Sequence, residues 1–351
     1  MVTKRIGILT SGGDAPGMNA AVVSVARSAA MYGMALVGIK RGYNGLLRLS
    51  PKLSDDVEEL DLDTVLDIAD QPGTYLRTAR CDKFRDHAWR VKAVQNVREL
   101  GLEGLVVIGG DGSYTGAKFL CDLGVPCIGI PGTIDNDLAY SETTLGYDTA
   151  VNSCVDDIRA IRATSRSHDR PAVVEVMGRY CGDIALKAAV STGAEIVVVP
   201  EVPWTIDDVA DRLNQLIARG NNRVTVVVAE GAYDSMAPFD VYTFLTSHGK
   251  QCYKDEGISA IRLASILKRK CGMVEARATV LGYTQRGHQP SAYDSAFAFE
   301  AGHLAVKLLV NNISDQVVGI RDGRIFHMPI AEALACKRPF NHELYNLVNS
   351  L

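Results

Sequence analysis

No apolar run in this chain approaches the roughly 18 residues needed to cross a bilayer, so a membrane-spanning helix is not expected. The first residues, Met1 to Arg5, lead directly into a strand-like run, without the charged-then-apolar pattern of a secretion signal, and the expected location is cytoplasmic. The eight cysteines contain no C-x-x-C pair. That spacing argues against zinc sites and dithiol redox motifs, and the cysteines inside apolar runs suit reduced, buried thiols better than disulfides. An excess of one charge is also missing: 37 Lys and Arg face 41 Asp and Glu, for a net charge of −4. Without a broad basic field, nucleic acid or an anionic membrane is not an expected partner, and any anionic ligand must be held by a local site. Nor is there a G-x-x-x-x-G-K-[ST] nucleotide motif, a Gly/Ser linker, an internal repeat or a low-complexity segment.

What is present is typical of a globular protein. The 351 residues are 47% hydrophobic and 22% charged, with 32 glycines, enough for two domains that bury about three quarters of their unfolded surface. Short β-branched runs (Ile6 to Thr10, Ala35 to Ile39, Leu105 to Ile108, Val125 to Ile130, Val173 to Val176, Ile196 to Val199, Val224 to Ala229) alternate with helical patterns (Met18 to Ala30, Ala88 to Leu100, Ser113 to Leu123, Thr144 to Thr164). This alternation predicts right-handed βαβ crossovers and an α/β fold with mostly parallel sheets. From Tyr233 to Gly257 the rhythm lapses, and Ile258 to Lys270 then reads as an amphipathic helix with a basic C-terminal end, as its dipole favours.

Three glycine-rich turns follow strand-like runs. In Ser11-Gly12-Gly13-Asp14-Ala15-Pro16-Gly17, Gly12 and Gly13 leave backbone N–H groups open to an anion just before a helix; a tight strand-to-helix turn needs the same residues. In Gly109-Gly110-Asp111-Gly112-Ser113 the glycines admit close backbone approach and Asp111 can hold a hydrated Mg²⁺ between nucleotide phosphates, or is an ordinary acid at a helix entrance beginning at Ser113. A dinucleotide fingerprint fails because Gly110-x-Gly112-x-x-x-Gly116 has one residue too many, which sets aside a nicotinamide dehydrogenase. The third, Pro131-Gly132-Thr133-Ile134-Asp135-Asn136-Asp137, places two carboxylates one residue apart at a strand end, where open α/β sheets bind ligands. A general base, a metal loop and an Asx turn all fit that pattern.

These turns, together with Met177-Gly178-Arg179-Tyr180-Cys181-Gly182 and the run from Arg277 to Gly287 (Arg-Ala-Thr-Val-Leu-Gly-Tyr-Thr-Gln-Arg-Gly), resemble the 6-phosphofructokinase family of the bacterial type over nearly the whole chain, apart from roughly residues 233 to 260. The resemblance implies two three-layer α/β/α domains. Residues 1–146 and 285–335 would bind ATP; residues 147–284 and 336–351, with an insertion at about 233–260, would bind fructose 6-phosphate. It implies Asp135 as the base that takes the proton from the C1 hydroxyl, with Asp137 and Thr133 beside it, and Arg179, Arg80 and the N–H of Gly12 facing the transferred phosphoryl group. ATP would rest on Gly12, Tyr43, Arg80, Cys81, Gly110, Asp111, Gly112 and Ser113, with Asp111 the Mg²⁺ ligand. The sugar phosphate would meet Thr133, Ile134, Asp135, Met177, Gly178, Arg179 and Glu230, with Arg170, Arg277 and Arg286, and Tyr283, Thr284 and Gln285 between them, at the 6-phosphate end. It further implies a homotetramer in which Arg170 and Arg277 reach a neighbouring subunit's site.

The chain departs from that pattern in places. Tyr283 stands where relatives usually carry a histidine, and His288, in Gly287-His288-Gln289-Pro290 instead of Gly-Gly-Ser-Pro, is a possible substitute for it. Val23, Leu62 and Asn221 replace basic residues that hold effector phosphates in regulated relatives, while Arg27, Arg162, Arg219 and Arg223 keep positive charge, so loss of typical effector control is expected. Pyrophosphate-dependent relatives tend to carry Asp at the place of Gly112 and Lys at that of Gly132, so glycine at both favours ATP. A pyrophosphate-dependent enzyme and a catalytically weak regulatory subunit are the alternatives.

Overall fold

The computed structural model describes residues 4–47, 55–236, 259–273 and 275–350. The expected lapse from Tyr233 and the inserted segment fall mostly outside these residues, as does Ile258; the helix begins at Ala260 and ends at Lys270. Among the described residues eleven strands follow in chain order: β1 (Arg5–Thr10), β2 (Ala35–Ile39), β3 (Val57–Leu60), β4 (Leu102–Gly109), β5 (Cys127–Pro131), β6 (Ala172–Val176), β7 (Ile196–Val198), β8 (Thr225–Ala229), β9 (Arg277–Val280), β10 (Gln316–Arg321) and β11 (Arg324–Pro329). The chain divides into a first unit, Met1–Thr149 with Arg286–Arg338, and a second, Ala150–Gln285 with Pro339–Leu351.

The first unit holds a seven-stranded sheet in the order β11-β10-β5-β4-β1-β2-β3. All pairings are parallel except β2 with β3 and β10 with β11 at the two edges. β1, β4 and β5 are buried almost throughout, which is why they read as continuous apolar runs and not as alternating ones. Helix Met18–Met31 is built from small residues and packs on helix Ala292–Val310, where a Cβ on Gly302 would stand 2.7 Å from Ser24. Leu9, Val37, Val107, Tyr114 and Leu120 form the core on one side. Burial of each such side chain contributes about 1.5–3 kcal/mol.

The second unit is smaller, a four-stranded parallel sheet β7-β8-β6-β9. Val173, Val198, Val226 and Val228 pack under Leu213 of helix Ile206–Ala218 and Leu263 of helix Ala260–Lys270. A capping box between Thr205 and Asp208 starts the former helix. The α/β reading with mostly parallel sheets therefore holds, while several element bounds differ. The helix expected from Ser113 begins at Asp111, because extended Gly110 serves as its N-cap and the Gly110 carbonyl accepts from Ser113 N and Tyr114 N. The helix expected from Thr144 begins at Tyr147, since left-handed Gly146 and the Thr144 hydroxyl bond to the Thr133 carbonyl hold that stretch outside it.

Candidate active site

In the first unit the chain leaves β1 for β2 on one side and later returns to β4 on the other. The crevice at the carboxyl ends of β1 and β4 is thus a topological switch point, the place where open parallel sheets bind ligands. The three glycine turns follow the neighbouring strands β1, β4 and β5, and backbone bonds tie them together: Ser11 N to Ile108 O (2.9 Å) and Gly132 N to Gly109 O (3.0 Å). Ser113 Oγ adds a bond to Ser11 O at 3.1 Å. A Cβ on Gly109 would stand 2.5 Å from Ser11 O, so glycine is required for this closeness.

Around the turns sit most of the expected donor-side residues. Gly12 is left-handed at φ 96°, and its carbonyl accepts from Thr78 Oγ1 at 2.9 Å. Arg80 is exposed, its carbonyl held by Asn44 Nδ2 at 2.9 Å, and Cys81 is half-buried with its thiol pushed up by that burial. Tyr43 is buried, stacks on Phe84 at 4.2 Å and donates to Ser113 O at 2.6 Å, so it braces the turn from beneath. Asp111 and Gly112 are exposed in the first turn of helix Asp111–Asp122, where the dipole favours negative charge. Arg286 donates from Nη1 to Asp14 O (2.6 Å) and lays its guanidinium beside Gly13, a cation at the mouth of the first turn.

On the third turn Asp135 N donates to Thr133 Oγ1 at 3.2 Å, and the following Asn136 is left-handed at φ 53°. This bend leaves Asp135 and Thr133 half-buried, Asp137 exposed and Ile134 wholly buried. The glycines differ in why they are there. A Cβ on Gly132 would stand 2.8 Å from both Ile108 and Met18, so packing alone demands glycine. A Cβ on Gly112 would meet nothing within 4 Å among the described residues.

In the second unit three loops follow the neighbouring strands β8, β6 and β9, and the loop after β6 is held by its backbone N–H groups. Met177 N donates to Gln285 Oε1 (3.0 Å), Arg179 N to Glu230 Oε1 (3.0 Å) and Gly182 N to Glu201 Oε1 (2.8 Å). Gly178, at φ 135°, has no room for a Cβ, which would stand 2.3 Å from Cys181 O, and Arg179 is left-handed at φ 52°. These restraints fix the backbone of the exposed Arg179, whose guanidinium lies over the Tyr180 ring, 5.4 Å from its centroid. Gln285 is fully buried; its amide also donates to Gly282 O (3.1 Å), which makes it a brace for Met177. Tyr283 is 84% exposed, and Thr284 is exposed with its hydroxyl on Leu281 O.

Arg170 and Arg277 do not join that group. They sit where β6 and β9 begin, at the amino ends of the parallel strands, and share Glu275, at 2.6 and 2.5 Å. The Arg170 hydrogen bond holds the Glu275 carboxyl below its usual range. Elsewhere Val23 is wholly buried, and Arg162 makes a two-pronged pair with Glu195 while also donating to Thr225 Oγ1 (2.8 Å). Sequence reasoning missed Phe84, Glu201 and Asp294, whose partners are remote in the chain and leave no local pattern.

A phosphofructokinase family model matches residues 5–309. The chain is 46% identical to the ATP-dependent 6-phosphofructokinase of Clostridioides difficile and 43% to that of Alkaliphilus metalliredigens, each over 348 residues and 99% of both chains. Among solved structures it is similar to Pichia pastoris phosphofructokinase in the T-state, with a TM-score of 0.82 and 33% identity, covering 95% of this chain but only 36% of that one. A pyrophosphate-dependent phosphofructokinase from Marinobacter aquaeolei shares the fold at a TM-score of 0.78 and 21% identity.

Proposed function

The chain belongs to the phosphofructokinase family, and from that premise we propose how its residues carry an ATP-dependent phosphorylation of fructose 6-phosphate to fructose 1,6-bisphosphate. Asp135 accepts the proton of the C1 hydroxyl as that oxygen attacks the γ-phosphorus in line and ADP departs. Thr133 and Asp137 keep the base and the reacting hydroxyl in order. The Gly12 N–H, Arg80 and Arg179 stabilise the charge that builds on the phosphoryl oxygens. Glu230, Met177 and Gly178 bind the sugar ring, with Tyr283 and Arg286 toward the 6-phosphate. Residues 1–146 and 285–335 form the ATP-binding part, residues 147–284 and 336–351 the sugar-phosphate part.

Mg²⁺ suits the donor set: a single exposed carboxylate beside a glycine turn is what a hydrated Mg²⁺ shares with nucleotide phosphates, and Asp111 would hold it. When bound, it would neutralise charge between the β- and γ-phosphates. The working protein is a cytoplasmic homotetramer in which Arg170 and Arg277 serve a neighbouring site; none of the described helices is long and apolar enough to cross a membrane.

One observation carries the choice of ATP. Glycine inside a helix costs about 1 kcal/mol relative to alanine, yet among the described residues nothing lies within 4 Å of a Cβ at Gly112. The reason for glycine there lies outside the chain, in the space a nucleotide takes. Gly132 carries no such information because its own packing requires it. A coupled assay tests the reading: fructose 1,6-bisphosphate forms with ATP, not with pyrophosphate, and Asp135→Ala is nearly silent. Gly112→Asp lowers kcat/KM for ATP tenfold or more, about 1.4 kcal/mol. Product from pyrophosphate alone, or an active Asp135→Ala, overturns the reading.

A further inference from the structure

Asp294, in the first turn of helix Ala292–Val310, is wholly buried and has no part in the chemistry described above. One of its oxygens accepts from Gly146 N at 2.9 Å; the other accepts from Thr149 N at 2.8 Å and Thr149 Oγ1 at 2.6 Å. The donors flank the start of helix Tyr147–His168. The residues just before that start lie directly on the turn that carries Asp135. Leu145 N donates to Pro131 O at 2.7 Å, Leu145 and Gly132 form an isolated parallel bridge, and Thr144 Oγ1 donates to Thr133 O at 2.6 Å. There is no slack on the other side either. A Cβ on Gly146 would stand 2.7 Å from Ala15, and one on Gly17 2.7 Å from Leu145.

We propose that Asp294 is a positioning residue for phosphoryl transfer: its ionised carboxylate fixes Gly146 and Thr149, these fix residues 144–145, and these hold the turn that presents Asp135. The proposal rests on the reading of Asp135 as the base. Burial pushes the Asp294 carboxyl up to about 6 against the bonds from Thr149 and Gly146, and the negative charge of Asp148 adds to the rise. The titratable groups facing it are Asp148, bound to Ser291 Oγ at 2.6 Å, and Tyr293 on its own helix, whose phenol burial also raises. Protonation turns one acceptor oxygen into a donor, and at least one of the three bonds is lost.

The sign of the shift argues for function over stability. A carboxyl raised from 3.8 to about 6 on folding contributes stability that is fully present below 3.8 and lost as pH rises through 6. Ionised Asp294 therefore weakens the fold at neutral pH, where the glycolytic-type reaction runs, and the ionised state is retained for what it holds in place.

The test is the pH profile of kcat with saturating ATP and fructose 6-phosphate between pH 5 and 8. The acid limb of the unmodified enzyme falls near pH 6. Thr149→Val removes a donor to the carboxylate, moves that limb to higher pH and lowers kcat at pH 8 as well, whereas Asp148→Asn removes a repelling charge, moves the limb lower and keeps kcat at pH 8 within about threefold. Asp294→Asn, checked for folding by circular dichroism, loses kcat tenfold or more at every pH with both KM values within about threefold. Ionisation of the sugar phosphate, with a second pKa near 6, is common to all variants and moves none of them apart. Acid limbs that coincide in all variants overturn the proposal, as does an Asp294→Asn enzyme with normal kcat. Failure of the underlying reading is separate: Asp135→Ala would then stay active.

Discussion

A single exchange, tyrosine for the histidine expected at position 283, would change what the proposed sugar-phosphate site can offer. Tyr283 is 84% exposed on the turn after β9, where its phenol can donate one neutral hydrogen bond. An imidazolium donates a charge-assisted bond roughly twice as strong, but only while protonated, below a pKa of about 6.5. Tyr283→His is therefore expected to lower the KM for fructose 6-phosphate about threefold to tenfold at pH 6, with most of the gain gone at pH 8. The same measurement on Tyr283→Phe gives the worth of the present hydroxyl. An equal effect of Tyr283→His at both pH values would mean that charge is not what position 283 lacks. Residue identity was legible here because the motif around it was long, whereas the difference between Gly112 and Gly132 was not. Both read as glycines that leave donor space, and only their neighbours separate a glycine the fold demands from one it does not.

At the scale of elements, the loop after β6 is shaped by its neighbours more than by its own sequence. Arg179 adopts a left-handed backbone that costs a non-glycine residue about 1–2 kcal/mol, and Glu230 accepting from its N–H helps to hold it there. Gly231 completes the fit: a Cβ at that position would stand 1.6 Å from Arg179 O, a backbone atom that cannot swing aside. Gly231→Ala must push the loop away from β8. The expected result is a KM for fructose 6-phosphate raised tenfold or more, with little change in the KM for ATP, measured by steady-state kinetics; a wild-type KM would show that the loop tolerates displacement. Such links explain what the sequence disclosed. The central strands announced themselves as apolar runs, and the turns after them by glycine. The edge strands β3, β9 and β11 are half exposed, with no such signature, and Glu201 and Gln285 act through partners 19 and 108 residues away.

At the scale of the whole molecule, the two arginines at the amino ends of β6 and β9 raise the question of whose substrate they serve. Arg170 and Arg277 share Glu275 and stand at the opposite end of the sheet from Met177, Arg179 and Glu230, a strand length of about 15 Å away. Within one chain, then, two of the three cations expected at the 6-phosphate, Arg170 and Arg277, belong to a second group, which fits a site shared between copies. Subunit mixing tests this directly. Asp135→Ala and Arg170→Ala enzymes are each expected to be nearly inactive. When they are unfolded together in equal amounts and refolded, a site works only if its base comes from an Arg170→Ala chain and its arginine from an Asp135→Ala neighbour. About a quarter of the sites in a randomly assembled symmetric oligomer meet that condition, so activity should return to about a quarter of wild type. Refolding each variant alone restores nothing. If the mixture stays as silent as its components, Arg170 acts within its own subunit, and the separation of the two groups along the sheet would need another cause.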